Sequence, residues 1–209
     1  ITLGPNVDIE GRLLSTEGAI FIGAGGSVYI PQGESTIPIK CTGSCSPNPI
    51  VDVLGGLDQY ALFTSYGAVE NAATSGIIGN IGTNNGGITG FSTSTHIGFV
   101  KIPGEETALA KLELDSAYAQ LIDIPNTELG HAAAFGSGET VFPGVYFIGG
   151  AGSLSGTITL DAQNNPNAIF VFKFNGAFSA AAQSKVIFKN GTRRCNVFWI
   201  AEGAIDIGT

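Results

Sequence analysis

The sequence predicts an all-β chain with one long helix, arranged as a parallel β-solenoid with the helix lying along its side. Three observations carry this. Short apolar strands bounded by Gly recur: GAIFIG at 18–23, GAIDIG at 203–208, and the looser copies GTITLD at 156–161 and GVYFIG at 144–149. Charged residues make up only 12% of the chain, against 44% hydrophobic residues and 31 Gly, a balance that suits short strands joined by tight turns. A single segment, 104–123, lacks both internal Gly and Pro and follows a helical period.

The elements follow in order. ITLG at 1–4 matches the last four positions of the GAIFIG hexamer, and Ile20 lies nineteen residues after Ile1. A step of that size suits a solenoid rung, each rung stacking on the next. Ile1, Leu3, Val7 and Ile9 alternate with polar neighbours, as in a strand with one buried face. Residues 1–37 therefore read as rungs, and 38–56, PIKCTGSCSPNPIVDVLGG, as a Pro-rich linker. Residues 57–209 read as the main solenoid. Within it, Leu114, Tyr118, Leu121 and Ile122 share a helical face over roughly 104–122, Glu105 and Glu106 favour the helix start, and Pro125 stops it. AIFVFKFNG places Phe170, Phe172 and Phe174 on one strand face and Val171 and Lys173 on the other.

Residues 144–209 resemble the bacterial ice-binding-like family, with GTITLDAQ, NPNAIFVFK and CNVFW as the specific pieces. Residues 60–91 resemble that family's opening strands, and the helix falls where the family places its own, so the likeness covers about 57–209. The resemblance implies a secreted, right-handed β-solenoid. VDIEGRLLSTEGAI at 7–20 resembles the family's closing rungs, but here it comes first. This order reads as a circular permutation, as a window cut from a tandem array, or as rungs given to a neighbouring chain.

Composition and motifs exclude most chemistry. A net charge of −8 with nine scattered basic residues argues against nucleic acid. No apolar run approaches the length of a membrane helix. There is no GxSxG nucleophile elbow, and the Gly-rich GGAGSLSG at 149–156 precedes a strand, so it is no phosphate loop. His96 and His131 stand in unlike contexts and read as turn or surface residues. Cys41 and Cys45 could close a small disulfide loop, a zinc site lacks a second ligand pair, and Cys195 reads as a buried small residue. No enzyme activity, metal or cofactor is expected.

What remains is a surface. Two readings follow, both extracellular or at the cell surface. In the first, the chain is a structural or adhesive unit that joins copies of itself head to tail. Its donor strands would carry Ile1, Leu3, Val7, Ile9, Ile20 and Ile22. The strand pattern running unbroken from Ile1 and to Gly208 puts this reading ahead. In the alternative, a flat Thr/Ser/Ala face binds ice, with Thr2, Thr157 and Thr159 as candidates. Phe21 and Asp206 occupy equivalent outward positions and interrupt such a face.

Overall fold

The computed structural model describes residues 1–30 and 54–208. Cys41, Cys45 and residues 38–53 of the expected linker lie outside the described residues. The chain divides into two compact units, Ile1–Gln120 and Leu121–Thr209. This division does not coincide with the expected boundary at 38–56; it falls in the last turn of the helix.

The first unit is a stack of three-strand rungs. Its first rung holds β1 (Thr2–Leu3), β2 (Asp8–Glu10) and β3 (Leu13–Ser15). The second holds β4 (Ile20–Ile22), β5 (Ser27–Tyr29) and β6 (Tyr60–Thr64). The third holds β7 (Val69–Asn71), β8 (Gly76–Ile78) and β9 (Asn80–Thr83), and the fourth β10 (Ile88–Thr89), β11 (Thr95–Ile97) and β12 (Val100–Lys101). Like strands pair in parallel down each side: β1-β4-β7-β10, β2-β5-β8-β11 and β3-β6-β9-β12. Thr2 faces Phe21 and Glu70 faces Thr89, both nineteen positions apart, as the sequence period predicts. Phe21 faces Glu70 at a step of 49, because the second rung also spans the interval between β5 and β6.

Alternation explains the core of this unit. Leu3, Ile20, Ile22, Val28, Leu62, Val69, Ile77 and Ile81 all point inward and are fully buried. Burial of each such side chain contributes roughly 1.5–3 kcal/mol. A corner between the last two rungs is held by a polar clamp. Asn71 Nδ2 donates to Gly90 O at 3.0 Å and to Ser94 Oγ at 2.9 Å, while Ser75 Oγ donates to Asn71 Oδ1 at 2.6 Å. Gly90 turns this corner with φ +85°, and a Cβ there would stand 1.9 Å from the Asn71 carbonyl oxygen.

The helix α1 (Glu105–Asp123) lays Ala110 and Leu114 on Leu57, Tyr60 and Phe63, so Phe63, which points away from the solenoid interior, is also fully buried. The buried stripe is Thr107, Ala110, Leu114, Ala117 and Leu121. Two members of the expected face depart from it: Tyr118 is half-buried and Ile122 is exposed. The spacing is the reason. Alternating steps of three and four keep to one line down the helix, whereas Tyr118 and Ile122 each come one position after a stripe residue, Ala117 and Leu121, and so are rotated about 100° from it. Sequence reading favoured large apolar residues and passed over Ala110 and Ala117, whose small side chains let the helix approach the sheet.

The second unit contains β13 (Glu128–Leu129), β14 (Ala134–Gly136), β15 (Thr140–Val141), β16 (Gly144–Ile148), β17 (Gly152–Ser155), β18 (Thr157–Asp161), β19 (Phe170–Phe174), β20 (Phe178–Ala180), β21 (Lys185–Lys189), β22 (Val197–Ala201) and β23 (Ile205–Ile207). Its parallel sheets run β13-β16-β19-β22, β14-β17-β20-β23 and β15-β18-β21. The step from Ala134 to Ser153 is nineteen, but Gly152 to Phe178 is 26 and Thr157 to Lys185 is 28. A single period of about nineteen is therefore corrected for this unit: the turn after β18 lengthens one rung and the connection after β21 lengthens the next, where Phe170 faces Val197 at a step of 27. Tyr146, Phe172 and Trp199 stand in register and stack, with ring centroids 5.2 Å and then 4.1 Å apart. Such stacking adds about 0.5–1.5 kcal/mol per pair beyond burial. Burial raises the Tyr146 phenol to about 12, with Glu128 adding to the effect.

Candidate functional site

Among the described residues no cluster of His, Cys, Asp and Glu could hold a metal ion, and no helix is long and apolar enough to cross a membrane. His96 Nε2 lies 2.9 Å from Gly79 O, and Cys195 is half-buried with its Sγ 3.5 Å from Asn196 Oδ1. The candidate sites are therefore the outer faces of the sheets.

The three threonines singled out in the sequence do not form one face. Thr2 lies in the first unit, half-buried beside the exposed Phe21. Thr157 and Thr159 lie on β18 of the second unit, where Ile158 and Leu160 point inward as expected. Thr159, however, is only 8% exposed between Thr140 and Ile187, and Thr157 faces Lys185. Long side chains on β21 thus break the expected flat ladder. Asp161 is held below the usual carboxylate range by the Gln163 N–H and by Asn190, so it serves a turn.

The strands expected to be donated to a neighbour are already paired within the first unit. β1 pairs with β4, β2 with β5 and β4 with β7, and the Ile1 amino group donates to Ala19 O at 2.8 Å. Leu3, Ile20 and Ile22 are fully buried there, and Val7 and Ile9 are half-buried. The donor reading is corrected on this ground: residues 1–30 find the partners they need in residues 60–78 of their own chain.

A regular small-residue face does exist, on the sheet β14-β17-β20-β23. Ala134, Ser153, Ser179 and Asp206 stand side by side in register. Adjacent strands repeat at about 4.8 Å. Two positions earlier, on the same side, stand Ala151, Ala177 and Ala204, all exposed. Phe178 N donates to Ala204 O and Gly152 N to Ala177 O, both at 2.9 Å, which fixes that second column. Two positions later comes the exposed Ser155. The inward partners are large and buried: Phe135, Leu154 and Phe178. Apart from the half-buried Asp206 at one edge, these columns carry no charge. The surface is consequently flat, rigidly backed and made of methyls and hydroxyls. Sequence reading missed it, although a signal is present. Gly-Ala pairs at 150–151, 176–177 and 203–204 mark the same corner of successive rungs, and Ser or Asp recurs two residues after each Ala.

The ice-binding-like family profile matches residues 63–209. The chain belongs to this family. It is a non-enzymatic family, which agrees with the absence of catalytic motifs in the sequence. The chain is similar to an ice-binding protein of Nostoc sp. (strain HG1), with 29% identity over 161 residues, covering 76% of this chain and 58% of that protein. It thus spans little more than half of that relative's length. It also resembles the crystal structure of an ice-binding protein from an Antarctic bacterium, Flavobacteriaceae, with a TM-score of 0.63 and 27% identity over 99% of this chain and 62% of that one. The ice-binding protein from the Antarctic ascomycete Antarctomyces psychrotrophicus shares the fold, with a TM-score of 0.64 at 23% identity over 74% of this chain and 94% of that one. Family membership establishes the β-solenoid class. It favours the ice-binding reading over the filament reading that sequence analysis put first.

Proposed function

We propose that the chain is an extracellular ice-binding module, acting without catalysis, that adsorbs to ice through the Ala/Ser face of β14, β17, β20 and β23. The observation that carries this is the in-register, small-residue array Ala134–Ser153–Ser179, exposed at Ala134 and Ser179 and half-buried at Ser153, flanked by the exposed Ala151–Ala177–Ala204. Ice is a rigid, repeating surface of water molecules. A face that presents hydroxyls and methyls at a fixed strand spacing, backed by a packed aromatic core, loses little entropy on adsorbing to such a surface. Long or charged side chains would instead hold their own mobile water. The names of the relatives support ice as the ligand. The out-of-order likeness of residues 7–20 to the family's closing rungs is read as a permuted arrangement of the same solenoid.

The test is steric. Ser179→Tyr and Ser153→Tyr place a bulky group on the array, while Thr157→Tyr places one on another face. The two serine variants should lose most of the ice-recrystallisation inhibition and Thr157→Tyr should keep it, all three retaining the wild-type circular dichroism spectrum. Full activity in both serine variants would move the ligand to a different surface.

A further inference from the structure

The terminal rung of the second unit has an unusual closure. β13, β14 and β15 each stand at the end of their sheet order. An inward side chain on such a strand would ordinarily face water on its open side. Phe135 on β14 is nevertheless only 1% exposed. Its cover is the ring of His131, stacked at 4.1 Å with an interplanar angle of 7°, and standing edge-on to Tyr146 at 5.7 Å.

The ring is hydrogen-bonded at one nitrogen and stands at ion-pair distance from a carboxylate at the other. Nδ1 lies 2.7 Å from Ala132 O, and Nε2 lies 3.4 Å from Glu139 Oε2. The other oxygen of Glu139 accepts the Gly136 N–H, so the carboxylate is itself fixed by the turn after β14. Both nitrogens therefore face oxygen acceptors. A neutral imidazole has one N–H and no charge; the imidazolium donates to Ala132 O and also forms an ion pair with Glu139.

We propose that His131 is a proton-operated lid on the end of the aromatic core. Doubly protonated, it is clamped between Ala132 O and Glu139 and seals Phe135; with one proton lost, one anchor is lost and the lid loosens. The titratable groups that face it are Glu139 and Tyr146, with Glu128 beyond on β13, paired to Tyr146. Tyr146 stays neutral, its hydroxyl donating to Phe142 O at 2.7 Å. The charge met by the imidazolium is thus the opposite charge of Glu139, which favours closure on the acid side.

Hydrogen exchange read by mass spectrometry on the whole chain tests this, at about pH 5 and about pH 8, the range in which histidine changes charge. After correction for intrinsic rates, peptides covering 131–141 should exchange several-fold faster at the upper pH in the wild type, while those covering 170–174 hold constant. His131→Phe keeps a ring over Phe135 but carries no proton, so its protection should be the same at both values. Glu139→Gln should shrink the pH difference. Equal protection of the wild type at both values, or a His131→Phe variant that keeps the full pH difference, would overturn the lid.

Discussion

Lys173 Nζ donates to the carbonyl of Ile122 at 2.7 Å, and to that of Ile124 at 2.6 Å. The helix α1 has no basic residue in its last turn and ends on Asp123, so its final carbonyls lack a local cation. A lysine from β19, about fifty residues downstream, supplies one. Sequence reading placed Lys173 on the strand face opposite the phenylalanines, which is correct. What lay beyond that face was not legible: the strand is covered, and Lys173 is 5% exposed.

Lys173→Met should cost about 1 kcal/mol, since it leaves two part-buried carbonyls without this donor, and should lower protection of the last turn of α1 in hydrogen exchange. Burial lowers the Lys173 pKa below 10.5. The folded chain then sheds this proton before the unfolded chain does, so the contribution of Lys173 rises with pH through the window just under 10.5. The stability gap between wild type and Lys173→Met, measured by urea unfolding, should widen across that window. A gap that narrows there contradicts the assignment.

Leu114→Asp should destabilise the first unit by several kcal/mol, since it removes a buried leucine from Leu57 and Phe63 and leaves a carboxylate without a partner. Leu112 is 63% exposed on the other side of α1. Leu112→Asp should stay within about 0.5 kcal/mol of wild type. Similar losses in both variants, by thermal unfolding, would show that the packed stripe has been misplaced.

Gly90→Ala should cost well over 1 kcal/mol, because φ at that corner is positive and the new methyl would collide with the Asn71 carbonyl. Gly87 is an informative control: a Cβ there meets nothing within 4 Å and its φ lies outside the positive region. Gly87→Ala should be near neutral in the same denaturant titration.

These cases show what one sequence reveals. The nineteen-residue spacing of Ile1 and Ile20 gave the rung, and it reappears as Thr2 facing Phe21 and Glu70 facing Thr89. The helix was legible because no other segment combines helical spacing with freedom from Gly and Pro. The docking of residues 1–30 on the following rungs was not legible, since β3, β4 and β5 meet partners 49 positions away, outside any local period. The Ala/Ser face was hidden for a related reason. Its columns repeat at 19, 26 and 27, so no fixed spacing brings Ala134, Ser153, Ser179 and Asp206 into line. Apolar alternation reports what a strand buries; the identity of an exposed column depends on register, which belongs to pairs of strands.

The interval between β5 and β6 also bears on how the first unit assembles. Closing a 49-residue separation instead of a nineteen-residue one costs only about 0.8 kcal/mol of loop entropy, so the final stability barely registers it. Assembly rates are more sensitive, because they follow the sequence separation of contacting residues. The short-range rungs 60–83 and 88–101 have a kinetic advantage over every pairing that crosses the long interval. Residues 1–30 then arrive late, added to a template that is already in place.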